Sequence, residues 1–104
     1  MKPEKQARLE AAGFKVSTVE EFLGLTAEES ALIDVRIALS AAIKQKREAQ
    51  PLSQAALAKR IHSSQSRVAK MEAGDPSVST DLLLKALFAA GAEREEVGKI
   101  IAFG

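Results

Sequence analysis

Gln65, Ser66, Ala69 and Lys70 lie close together in a chain of 104 residues, at spacings that gather on one side of a helix. Helical rotation is about 100° per residue; with the direction between Val68 and Met71 taken as buried, Ser66, Ala69, Lys70 and Ala73 fall on the opposite side. That face is small, polar and cationic. It offers hydrogen-bonding groups without bulk, which is the chemistry needed to reach base edges in the major groove of duplex DNA, and Gln65 adds an amide at the helix start. Arg67 falls on the flank, better placed for a phosphate than for a base.

Other chemistries find fewer parts. His62, the only histidine, is followed by Ser63 and Ser64, but no acid partner or oxyanion loop accompanies them as hydrolysis would require. There is no His-Glu-x-x-His zinc signature and no phosphate-cradling glycine loop. The absence of cysteine removes disulfides, thiolate nucleophiles and cysteine-containing zinc sites, and fits a reducing compartment. The pairs Glu20-Glu21, Glu28-Glu29 and Glu95-Glu96 stand near expected helix starts, where acids complement the backbone dipole. No catalytic residue, metal ligand or cofactor site is assigned, and an enzyme is not expected.

Charge is informative through its distribution. Fifteen basic and fourteen acidic side chains leave a net charge of +1, yet residues 1–34 hold four basic and seven acidic groups. Residues 44–72 hold Lys44, Lys46, Arg47, Lys59, Arg60, Arg67 and Lys70 against only Glu48 and Glu72. A basic block inside an otherwise acidic chain points to a polyanionic partner.

The elements that must position these groups are helices. Trp and Tyr are absent and only Phe14, Phe22, Phe88 and Phe103 are aromatic, so Ala, Leu, Ile and Val must build one core. Residues 1–16 read as a frayed helix or a segment that orders on binding, and Ser17 opens a short helix ending near Gly24. Thr26-Ala27-Glu28-Glu29 has capping-box spacing and starts a long amphipathic helix to about Ala49, with Leu32, Val35, Leu39 and Ile43 on adjoining turns. Pro51 ends it. Ser53 caps a second helix through about Arg60, and Ser63-Ser64 start a third that ends at Gly74. Ser79 or Thr80 opens a fourth through about Ala90, stopped by Gly91, and Glu93 to Ala102 form a fifth. Leu57, Ala58, Ile61, Val68 and Met71 are expected inside, small Ala58 permitting a close crossing.

Over residues 39–91 this pattern resembles the helix-turn-helix of the Xre/Cro family of bacterial and phage repressors, carried by Leu52-Ser53-Gln54, Ser64-Gln65-Ser66 and Met71-Glu72-Ala73-Gly74. The resemblance implies an all-α, five-helix, lambda-repressor-like DNA-binding domain with an N-terminal helical extension. It implies base reading by Gln65, Ser66, Ala69 and Lys70, and phosphate contacts by Gln54, Ser64, Arg67 and Lys59. It also implies an architectural ion pair between Arg47 and Glu72. His62 departs from the pattern, standing where the family commonly has glycine in a left-handed conformation.

The fourth helix is apolar over more of its circumference than one small core covers. Leu83, Ala86, Leu87 and Ala90 suit the core positions that the resemblance implies. Leu82 and Phe88, with Ile100, Ile101 and Phe103, are expected to form a two-fold homodimer interface, so that two reading helices meet a palindromic operator on double-stranded DNA. The alternative is that the N-terminal helix folds over this surface.

Residues 1–25 are assigned as an N-terminal extension and 26–104 as the DNA-binding domain with its dimerisation helices. The run Val19-Glu20-Glu21-Phe22-Leu23-Gly24-Leu25 leading into a long helix is similar to small antitoxins encoded beside RelE-like toxins. That likeness makes the extension a candidate toxin-binding segment and neutralisation of such a toxin an alternative function. The start, Met1-Lys2-Pro3-Glu4-Lys5, lacks a secretory apolar stretch, and no run approaches the ~18 apolar residues of a membrane span. A cytoplasmic location with no membrane partner is the expectation.

Overall fold

The structure is a computed structural model that describes residues 24–104. The short helix expected from Ser17 and all but the last two residues of the candidate toxin-binding segment, 1–25, lie outside the described residues. The chain divides into two units, Met1–Asp34 and Val35–Gly104. The described part of the first holds the start of α1 (Ala27–Glu48). There Thr26 Oγ1 accepts from the Glu29 N–H at 3.1 Å and shares a second hydrogen bond with the Glu29 carboxylate, also at 3.1 Å. The return contact of the expected capping box therefore ends on the threonine hydroxyl.

The second unit continues α1 and adds α2 (Gln54–Arg60), α3 (Gln65–Glu72), α4 (Thr80–Ala89) and α5 (Arg94–Phe103). All regular structure among the described residues is helical. Three of these helices start on the same local device. Ser53 accepts from the Ala56 N–H at 3.0 Å, Ser64 from Arg67 at 3.2 Å and Ser79 from Leu82 at 3.2 Å, each cap stabilising its helix by about 1 kcal/mol. At α5 Glu93 takes the cap position without a side-chain bond, and Glu95 and Glu96 supply negative charge to the first turn instead.

The ends of α2, α3 and α4 are also alike. In each, one backbone bond returns from the residue after the left-handed position and a second from that residue itself. The pairs are Ser63 to Ala58 with His62 to Lys59, Asp75 to Lys70 with Gly74 to Met71, and Ala92 to Leu87 with Gly91 to Phe88. This six-to-one plus five-to-two closure needs a positive φ. Gly74 and Gly91 supply it at 76° and 101°, whereas at the first site it is His62, at 53°.

The core of the second unit draws on every helix. Leu39 and Ile43 of α1, Leu57 of α2, Val68 and Met71 of α3, and Leu83, Ala86 and Leu87 of α4 have no exposure above 1%. Ala58, at 2%, lets α2 and α3 cross closely. The stripe expected along α1 is buried at Leu39 and Ile43, half-buried at Val35 and exposed at Leu32. Leu82 and Ile100, expected to face outward, are half-buried against this core, because α4 packs on both α2 and α5. Phe88, Ile101 and Phe103 remain exposed.

Candidate nucleic-acid interface

Helix α3 is held by its own ends and by one ion pair beneath it. Val68 and Met71 anchor α3 in the core, which turns Ser66, Lys70 and Ala73 to solvent. Ala69, expected on the same outward side, is half-buried instead. Gln65 and Arg67 are exposed.

Below this face, Arg47 of α1 meets Glu72 at the end of α3 through two nitrogens, Nε to Oε2 at 2.6 Å and Nη2 to Oε1 at 3.0 Å. The same guanidinium donates to the Leu52 carbonyl at 3.2 Å, tying the pair to the turn before α2. Burial pushes the Glu72 carboxyl up, but hydrogen bonds from Arg47 and Gln54 and the charges of Arg47 and Lys44 outweigh it and hold the group below its ordinary value. The bonds to Glu72 raise the Arg47 guanidinium in turn.

From Glu72 the chain of contacts continues to the surface. Gln54 Nε2 donates to Glu72 Oε1 at 3.1 Å, and Gln54 Oε1 accepts from Gln65 Nε2 at 2.7 Å. Sequence reasoning assigns Gln54 a phosphate contact; its amide here links the buried ion pair to the first residue of α3. Ser64 caps α3 with the same oxygen that lies 3.2 Å from Ser66 Oγ.

The basic block separates into two groups. Lys46 bonds both Glu96 carboxylate oxygens, at 2.7 and 3.0 Å, and Arg60 donates to the Ala89 carbonyl at 2.9 Å, so these two join Arg47 in holding helices together. Lys44, Lys59, Arg67 and Lys70 are exposed. Arg67 and Lys70, with Ser64, Ser66, Ser77 and Val78, line a hollow of about 310 Å³ beside the outward face of α3. Its lining carries hydroxyls and positive charge but no acid, a composition suited to a phosphate group. The nearby Asp75 accepts from the Ser77 N–H at 2.8 Å, and the Ser77 hydroxyl and N–H hold its carboxyl below the usual value.

Sequence reasoning missed Ser77 and Arg36. Ser77 follows a proline in a turn, and only the loop's path beside α3 brings it to the hollow. Arg36 sits on a helix with no motif around it, and its partners are about forty positions away.

Among the described residues no helix is long and apolar enough to cross a membrane, and no cluster of three or more metal-ligating side chains occurs. Residues 43–87 match the family model described as helix-turn-helix. Comparisons with curated proteins and with solved structures return no match. The matched residues hold α2, the turn and α3 with most of α4, so over this segment the chain is similar to helix-turn-helix domains.

Proposed function

We propose that this helix-turn-helix domain makes the chain a sequence-specific transcriptional regulator, a repressor that binds a palindromic operator as a dimer. The observation that carries the reading is the outward face of α3. Ser66 and Lys70 stand free of the core while Gln65 is steered by Gln54, and the hollow lined by Arg67 and Ser77 lies beside them. Base-directed groups thus adjoin phosphate-directed ones, the division of labour that specific recognition requires. Lys59 and Ser64 extend the phosphate-directed set.

The dimer is supported by the exposure of Phe88 (45%), Ile101 (44%) and Phe103 (81%). Two large aromatics left in water on α4 and α5 are an unfavourable arrangement that a second copy would relieve. Leu82 and Ile100 are partly used by the chain's own core, so they would form the floor of such an interface. Repression would need no more than occupancy of the operator.

The test is selection of duplexes by the full chain from a random-sequence pool. Enrichment of two inverted half-sites about 10 base pairs apart, centre to centre, is the expected result. Uniform weak binding to every sequence, with affinity set by salt alone, would remove the claim of specificity.

A further inference from the structure

Arg36 projects from α1 onto the loop that joins α3 to α4. Its Nη1 donates to Thr80 Oγ1 at 3.1 Å, and its Nη2 donates to the carbonyls of Asp75, at 3.4 Å, and of Val78. One half-buried guanidinium thereby holds the loop where it leaves Gly74 and where it enters α4. Within the loop the Val78 N–H bonds back to the Asp75 carbonyl at 3.2 Å, and Val78 is seated in the core at 2% exposure. Those contacts shape the turn locally. The bonds from Arg36 fix it to α1, the helix that also bears Arg47 and so supports α3.

That position matters because the loop is one wall of the cationic hollow. Ser77 and Val78 stand on it, and Ser66, Arg67 and Lys70 of α3, with the cap residue Ser64, stand opposite. A backbone phosphate entering the hollow would meet the Ser77 hydroxyl from one side and Arg67 or Lys70 from the other, and the separation of the walls decides whether both contacts form together. Arg36 lies before residues 43–87, so the family match says nothing of it.

We propose that Arg36 is a positioning residue for DNA binding, setting the loop of Ser77 against α3 so that both walls of the hollow engage one phosphate. The inference rests on the DNA-binding reading above. Arg36 touches no DNA in this scheme; it acts through the carbonyls of Asp75 and Val78 and the hydroxyl of Thr80. A lysine cannot replace it, since one ammonium does not reach three acceptors arranged for a planar fork.

The test uses the full chain and a duplex recovered by the wild-type protein from a random pool, with Arg36→Met, Arg36→Lys, Ser77→Ala and the double variant Arg36→Met/Ser77→Ala. Circular dichroism fixes a temperature at which each is folded. At that temperature Arg36→Met should lose about tenfold in affinity, with the slope of log affinity against log salt smaller by about one. Arg36→Lys should recover little of the loss, and Ser77→Ala should cost less in the Arg36→Met background than alone. If Arg36→Met does not fold, the comparison of Arg36→Lys with Ser77→Ala carries the same distinction. Unchanged affinity in Arg36→Met, full recovery in Arg36→Lys, or strictly additive losses would each overturn the proposal. Failure of the wild-type protein to enrich any duplex removes the DNA reading itself, whereas normal enrichment with an indifferent Arg36→Met removes this inference alone.

Discussion

Arg47 and Glu72 face each other through two parallel hydrogen bonds, 2.6 and 3.0 Å long, with the glutamate side chain only 4% exposed and the arginine 15%. They join the end of α1 to the end of α3, 25 residues apart in sequence, and Gln54 passes the arrangement on to Gln65. A pair so placed ties the end of α1 to both the end and, through Gln54, the start of α3.

Glu72→Gln should destabilise the fold by about 2 to 4 kcal/mol, because Arg47 would keep its charge with no carboxylate beside it. The pH dependence has a definite sign. The folded-state value of Glu72 is depressed, so its stabilising effect is complete above its ordinary value of 4.5 and is lost as pH falls through 4.5 towards the lower folded value. Urea titrations at neutral and strongly acid pH should therefore show a smaller acid loss in Glu72→Gln than in wild type. Equal losses in both proteins would mean that other carboxylates govern acid unfolding.

His62 holds a left-handed conformation that glycine adopts without steric cost. His62→Gly should raise stability by about 0.5 to 1 kcal/mol, the relief of strain being partly offset by the freer unfolded chain. His62→Val, branched at Cβ, should lower it by 1 kcal/mol or more, about the cost expected for a residue disfavoured there. Thermal melts of the two variants moving in the same direction would contradict this account.

Lys70→Ala should weaken binding to the selected operator by about 1 to 3 kcal/mol while leaving binding to unrelated duplexes nearly unchanged. Arg67→Ala should weaken all sequences alike and reduce the salt slope by about one. Gln54→Ala should resemble the first more than the second, since the amide steers Gln65. Gel-shift titrations at several salt concentrations separate the two patterns, and reversed patterns would exchange the roles of base reader and phosphate holder.

Phe88→Asp should convert a dimer into a monomer at tens of micromolar in sedimentation experiments. The thermal midpoint of the folded unit should move little, because the ring is already 45% exposed in one copy. A wild-type monomer unaffected by the substitution would leave Phe88 as an ordinary surface residue.

The sequence by itself determined whatever depends on neighbours within four positions. Ser53 announces its cap because its bond closes three residues later, the same rule narrows the next two to Ser63-Ser64 and to Ser79 or Thr80, of which Ser64 and Ser79 make the bonds, and Gly74 and Gly91 announce helix ends because few other residues take that φ. Helical spacing placed Leu57, Val68 and Met71 inside, and with them the outward direction of Ser66 and Lys70, whereas Leu83 and Leu87 were placed inside by the family resemblance. Tertiary structure decided the rest. That Leu82 and Ile100 are partly covered, that Lys46 and Arg60 bind other helices while Lys59 stays exposed, and that Arg36 holds a loop forty residues away are outcomes of helix docking. Local propensity and charge type are the same for a cation that will pair across the core and for one that will stay in solvent. Only the positions of helices distant in sequence distinguish them, because hydrogen bonds and ion pairs act over a few ångströms in space whatever the separation along the chain.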